Sequence, residues 1–313
     1  ARGRAGRLLV GATTLAVVAY GVALLYAASG ETAYASLGRA TRNPLYLAGL
    51  ALTLAGVASQ VTLLPFGAWS VAVHDAPRAP VSSLVAIVGR VAAFGALLRL
   101  AAATKSGETA LDWEVSLATL AAVSVMIPAL ASLTERRLGR LLGYLAVSQA
   151  GYVAIAVAAF AGPAAAFALA VDVALLLGAF AVVSLVAADA PTLEDLAGLA
   201  RRRPLAVLAL GVLLLGLAGL PPTAGFLSRL YVFEAAVRAQ LLWLVVVGAL
   251  ASVATAACGL RILFACFSPP RLDAVAPPRS RRAIAVMLVA AGVAVAAGVA
   301  PGPLLEAAQA VRY

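Results

Sequence analysis

Five polar side chains stand within apolar runs of this chain and are of types that carry or steer charge: Gln60, Arg90, Gln149, Asp172 and Arg229. An ionisable residue inside an apolar, membrane-length segment is a functional candidate by default. Lateral movement of a proton or cation through such a segment needs polar groups at one depth, each responding to its neighbour. Lysine responds well, whereas arginine holds its proton and acts on neighbours only through its field. The two glutamines carry no net charge but can order water. Asp172 is the carboxylate at mid-span, and Glu234 lies closer to a helix end. Asp172 is therefore expected to pair with a membrane arginine, and Arg90, Arg229 and Arg261 are all open as partners. Centring an arginine in a bilayer costs ~2.5–3.5 kcal/mol on insertion scales. Arg90 accordingly reads either as part of a path or as a salt bridge locking two helices. Arg261 reads either as part of the set or as a snorkelling side chain.

Two interrupted segments must position these groups. Residues 216–226, Gly-Leu-Ala-Gly-Leu-Pro-Pro-Thr-Ala-Gly-Phe, break an apolar stretch at Pro221, Pro222 and Gly225, and Arg229 follows three residues later. Residues 60–67, Gln-Val-Thr-Leu-Leu-Pro-Phe-Gly, break another at Pro65. Irregular backbone at membrane depth survives only where it is buried in protein or lines a wet cavity. Two broken helices in corresponding halves point to a pathway between inverted repeats. Proline kinks without function are the alternative.

The rest of the chain supplies the frame. It is 64% hydrophobic and 12% charged, with a mean hydropathy of +1.03. A soluble domain carries about twice that charge. The repeated apolar runs reach the ~20 residues needed to cross a hydrocarbon core. The expected fold is all-α: a polytopic membrane helix bundle forming a single domain over 1–313. About nine spans are expected: 7–28, 45–64 with a broken continuation to 73, 80–103, 115–133, 138–161, 164–188, 204–237 broken at the double proline, 241–267 and 282–300. Segment 189–203 is read as a short amphipathic helical connector on the cytoplasmic side, capped by Thr192, with arginines near its C-terminal end. With the N-terminus placed in the cytoplasm, fourteen arginines fall inside (2, 4, 7, 78, 136, 137, 140, 201, 202, 203, 271, 279, 281 and 282). Six basic residues fall outside: Arg39, Arg42, Arg99, Lys105, Arg238 and Arg312. That asymmetry satisfies the positive-inside rule and puts the C-terminus outside.

The net charge of +10 is thereby read as topology, not nucleic-acid binding. Cys258 and Cys266 are eight residues apart on one expected helix, too distant to bridge, and are read as packing residues. His74 is the single histidine, so no metal-ligand cluster is expected. No phosphate loop follows a strand, and no cofactor site is expected. The chain starts at Ala1, which suggests a fragment or missing first residues.

Several runs carry a family resemblance. They are 64–69 (Leu-Pro-Phe-Gly-Ala-Trp), 79–82 (Ala-Pro-Val-Ser), Arg90 with Phe94 and 97–99 (Leu-Leu-Arg), and 140–144 (Arg-Leu-Leu-Gly-Tyr) with 150–152 (Ala-Gly-Tyr). Further ones are 178–183 (Gly-Ala-Phe-Ala-Val-Val), 194–198 (Glu-Asp-Leu-Ala-Gly) and 217–226, with Tyr231 following. The chain resembles the antiporter-like membrane subunits of respiratory complex I, specifically the subunit N branch of NADH-quinone oxidoreductase. The likeness begins at the family's sixth helix, so the first five, including the one with the family's glutamate, are expected to lie outside this sequence. The resemblance implies a multi-pass subunit of a bacterial-type inner membrane that contributes a proton channel to a proton-translocating NADH-quinone oxidoreductase. NADH, FMN, iron-sulfur clusters and quinone would belong to partner subunits, and neighbouring antiporter-like subunits and the lipid bilayer would be its contacts. The family's relay positions carry different residues here: lysines are replaced by Gln60, Arg90 and Arg229, and a histidine by Gln149. Two further readings follow, an Mrp-type cation/proton antiporter subunit and a structural membrane subunit whose arginines are fixed ion-pair anchors.

Overall fold

The structure is a computed structural model and describes residues 2–31, 33, 43–74, 79–105, 113–186, 191–269 and 280–310. Arg39, Arg42, Arg78, Arg271, Arg279 and Arg312, used above for topology, lie outside the described residues, as do residues 189–190 of the connector.

All helices expected from the apolar runs are present. They are α1 (Arg2–Ser29), α2 (Pro44–Gln60), α3 (Trp69–His74), α4 (Ala79–Lys105), α5 (Trp113–Ser132), α6 (Leu138–Ala158), α7 (Gly162–Ala181), α8 (Leu199–Arg202), α9 (Pro204–Ala218), α10 (Ala224–Arg238), α11 (Leu242–Phe267), α12 (Arg281–Val299) and α13 (Gly302–Gln309). Six described stretches are long and apolar enough to cross a membrane, within α1, α5, α6, α7 with its 3-10 extension, α11 and α12. α4 adds 27 residues, or ~40 Å at 1.5 Å per residue. α2 and α9 are shorter apolar helices, and each resumes beyond a break, as α3 and α10. The expected nine spans thus have their helical counterparts. α13 was not expected as a separate element; Pro301 ends the preceding run and Gly302 starts the new helix.

Helix starts follow local chemistry. Proline occupies the first turn of α2, α7 and α9, where its missing N–H would have had no intrahelical partner. Asn43 Oδ1 accepts from Leu45 N at 3.0 Å, a side-chain cap that satisfies one of the free donors.

α6 is the centre of the bundle. Its apolar window is 94% buried, against 17% for residues 11–29 of α1, so α6 is enclosed by the rest of the bundle while α1 lies at its edge. α5 and α7 both pack against α6, α11 against α5, and α12 against α7 and α9. The α5–α6 approach needs Gly151: a Cβ there would lie 2.7 Å from the backbone nitrogen of Val125. Without a hydrophobic drive between helices in lipid, such close backbone packing is what holds them together.

The connector differs from the single amphipathic helix expected over 189–203. Its described part is a 3-10 turn, Leu193–Leu196, followed by the one-turn helix α8. Gly198 separates them at φ 75°, a left-handed conformation that ends one helical turn before the next begins. Thr192 does act as the cap, in a reciprocal box with Asp195. Cys258 and Cys266 are both buried and unbridged.

Candidate functional site

The second break builds the site. α9 ends at Gly219, whose φ of 73° is the left-handed cap. Its amide and that of Leu220 return to the carbonyls of Gly216 and Leu215, both at 2.9 Å, the paired closure of a Schellman motif. The chain passes through Pro221 and Pro222, joined by a cis bond, and α10 begins at Ala224. Gly225 sits directly against the backbone of Gly216, where a Cβ would be 2.6 Å from the carbonyl carbon. The two half-helices therefore touch at a point where no larger residue fits.

A helix C-terminus leaves carbonyls without intrahelical partners and concentrates negative potential. Here the carbonyl of Leu217 accepts from Gln149 Nε2 at 2.7 Å and from Arg229 Nη2. Arg229 is 5% exposed. Its Nη1 donates to Ser252 Oγ and to Tyr152 Oη at 3.1 Å. Its Cζ lies 4.1 Å from the centroid of the Tyr152 ring, within cation–π range. The Tyr152 hydroxyl donates to the Gly248 carbonyl at 2.7 Å, and Ser252 Oγ donates to the same carbonyl at 2.9 Å. Side chains from α6, α10 and α11 are thus tied to the end of α9.

A second charged group lies between α4, α6 and α7. Arg90 Nη1 donates to Asp172 Oδ2 at 3.3 Å and to the Ala146 carbonyl at 3.0 Å. Arg90 is 1% and Asp172 5% exposed. The expected arginine partner of Asp172 is therefore Arg90. Arg90 Nε, Arg90 Nη2 and Asp172 Oδ1 have no protein hydrogen-bond partner. A buried pair of this kind gains Coulomb energy but leaves part of its desolvation cost uncompensated.

The two groups meet at one cavity. Gln149, Tyr152, Asp172, Ser228 and Arg229 line it, together with Gly216 and Gly225 at the break. Its volume is about 10 Å³, the lower limit for one water molecule. The tertiary structure brings together four of the five site residues expected from sequence: Arg90 through Asp172, and Asp172, Gln149 and Arg229 directly. Gln60 is half-buried at the end of α2 and makes no hydrogen bond with the others. The first break around Pro65 is held instead by Ser124 Oγ, which accepts from Leu64 N at 2.8 Å, and by Ser59 Oγ, which donates to the Phe66 carbonyl at 3.1 Å.

Tyr152 and Ser252 were not singled out as site residues. Tyr152 carried a signal, since it follows Gln149 by three positions and shares its helix face. Ser252 carried none, because an isolated serine in an apolar helix is common. Arg261 stands apart: it donates to the carbonyls of Ser132 and Glu135 at 3.0 and 3.3 Å, neutralising the C-terminal end of α5. Glu234 is exposed and pairs with Arg238. Among the described residues there is no group of three or more His, Cys, Asp or Glu side chains placed to hold a metal.

The family model described as NADH:quinone oxidoreductase/Mrp antiporter, TM, matches residues 5–255. The chain belongs to this family. It is 32% identical over 311 residues to NADH-quinone oxidoreductase subunit N of Desulforamulus reducens, covering 96% of this chain and 65% of that protein. It thus spans about two thirds of the length of that curated relative. Among solved structures, respiratory complex I from Thermus thermophilus with bound aureothin contains a chain 33% identical, with a TM-score of 0.85, covering 97% of this chain and 68% of that one. The Mrp complex from Dietzia sp. superposes with a TM-score of 0.84 at 22% identity, over 96% of this chain and 66% of that one, which shows a shared fold alone. The chain is accordingly a membrane-integral, antiporter-like helix bundle, and its similarity is stronger to the NADH-quinone oxidoreductase side of the family than to the Mrp side.

Proposed function

We propose that this chain is a membrane-arm subunit, of the subunit N type, in a proton-translocating NADH-quinone oxidoreductase of a bacterial inner membrane. It contributes part of a proton path, while NADH oxidation, FMN, iron-sulfur clusters and quinone reduction belong to partner subunits. The observation that carries this reading is the convergence of Gln149, Asp172 and Arg229 on one small cavity at a broken membrane helix. Such a break costs backbone hydrogen bonds and is retained where it lines a polar path. In this path Asp172 is the group that takes up and releases the proton, water ordered by Gln149 hands it on, and Arg90 and Arg229 hold fixed positive charge on either side. The arginine-rich end of the bundle faces the cytoplasm, as the positive-inside rule directs. The chain's neighbours are other membrane subunits and lipid, with no nucleic acid.

The test is proton pumping by the assembled complex in sealed vesicles, driven by NADH and a quinone. Pumping that falls when Asp172 is replaced by Asn, with NADH oxidation retained, supports the reading. Full pumping with Asp172→Asn removes Asp172 from the path. One observation favours the structural alternative: the Arg90–Asp172 ion pair ties α4 to α7. Under that alternative, Asp172→Asn lowers assembly and pumping together.

A further inference from the structure

A second cavity lies on the outside of the bundle, away from the polar site. It is a groove of about 340 Å³ between α9 and α11, lined by residues that include Pro204, Val207, Gly211, Leu215, Leu263 and Phe267. All its lining side chains are hydrocarbon. From Pro204 to Leu215 it follows one face of α9 for ~17 Å at 1.5 Å per residue. That is about half of a ~30 Å hydrocarbon core, the depth of one leaflet. Gly211 keeps the groove open, since the nearest atoms to a Cβ there are the Leu263 methyls at 3.7 and 4.0 Å.

Three arginines stand in the chain beside one end of this groove. Ala200 and Pro204 line its end, and between them in the chain stand Arg201, Arg202 and Arg203. Arg201 and Arg202 are exposed. The turn that carries them is tied to the end of α11, because Gly198 N donates to the Ser268 carbonyl at 2.8 Å. The arginines and the groove are thus parts of one rigid corner. The acidic residues of the same connector are Glu194 and Asp195; Asp195 is held by the Thr192 amide and hydroxyl at 2.7 and 2.9 Å.

We propose that this corner is a binding site for an anionic phospholipid, with one acyl chain in the α9–α11 groove and its phosphate against Arg201 and Arg202. Topology alone accounts for arginines at this end of the bundle, but not for an apolar groove one leaflet deep that opens beside them. Basic residues near a bilayer surface favour anionic lipid by ~1 kcal/mol each. Gly211 and the two arginines take no part in the cavity at the break, so the site is independent of the proton path.

The experiment uses the assembled complex with the full-length subunit, delipidated in detergent and re-incubated with phosphatidylglycerol or phosphatidylcholine. Tightly bound lipid is counted by native mass spectrometry. The unaltered complex is expected to retain phosphatidylglycerol at this site in preference to phosphatidylcholine. Arg201→Gln with Arg202→Gln should weaken phosphatidylglycerol retention by roughly ten- to thirtyfold and leave phosphatidylcholine unchanged. Gly211→Leu keeps both arginines, fills the groove, and should cause a comparable loss. Equal retention of the two lipids by the unaltered complex, or full phosphatidylglycerol retention by either variant, overturns the proposal.

Discussion

Gln149 and Arg229, from two different helices, donate to the same carbonyl, that of Leu217. That carbonyl is freed because α9 stops at Ala218. The break therefore creates an acceptor in the middle of the bundle, and a neutral amide and a cation converge on it. Charge at the end of a half-helix is stabilised by the helix dipole as well as by the hydrogen bond, so the arginine is part of what makes the break tolerable.

Arg229→Ala is expected to leave the Leu217 carbonyl, Tyr152 and Ser252 with fewer partners. Each keeps a partner in Gln149 or the Gly248 carbonyl, so what is lost is the bond to a charged group, ~1.5–3 kcal/mol each at most. The expected outcome is reduced assembly of the complex and a lower denaturation temperature in detergent. Arg229→Lys keeps the charge with a single donor head and should recover part of both.

Arg90 and Asp172 should show strong coupling. Removing either partner of a buried pair costs ~3–5 kcal/mol, whereas removing both together costs far less. Arg90→Met with Asp172→Leu should thus assemble better than Arg90→Met or Asp172→Leu alone. Thermal unfolding of the four species, read as a double-mutant cycle, measures the coupling. Additive effects would mean that the ion pair contributes nothing to the packing of α4 on α7.

Gly225→Ala places a methyl group against the Gly216 backbone. Backbone cannot move aside as a flexible side chain can, so overpacking here should reach or exceed the usual ~1–3 kcal/mol. Loss of the subunit from the purified complex is the expected readout. Gly211→Ala meets only ordinary contacts and serves as the control, with assembly unchanged.

Glu234→Gln tests the opposite limit. Its ion pair with Arg238 at 2.5 Å is exposed on both sides, and such i,i+4 pairs stabilise by ~0.3–0.5 kcal/mol. The denaturation temperature should stay within error of the unaltered complex.

The helices were legible because lipid enforces them: a run of ~20 apolar residues can satisfy its backbone only by coiling on itself. The breaks at Pro65 and at Pro221, Pro222 and Gly225 were legible for the converse reason, since these residue types cannot continue a helix or are retained where another backbone passes close. The connector over 189–203 was less so. Its composition suits a helix, and the extended Ala197 followed by the left-handed Gly198 divides it.

Sequence alone determined which residues are charged, which runs are long and apolar enough to cross a membrane, and that Asp172 needed a cation. It left open which arginine that would be, because Arg90, Arg229 and Arg261 all sit in apolar helices and carry the same charge. The tertiary structure decided it through packing: α4 meets α7 and gives Arg90 to Asp172, while α10 and α11 turn Arg229 and Arg261 toward the carbonyls at the ends of α9 and α5. Partners 82 residues apart in the chain are chosen by how helices stack, and helix stacking depends on the shapes of whole surfaces, which no local pattern of residues records.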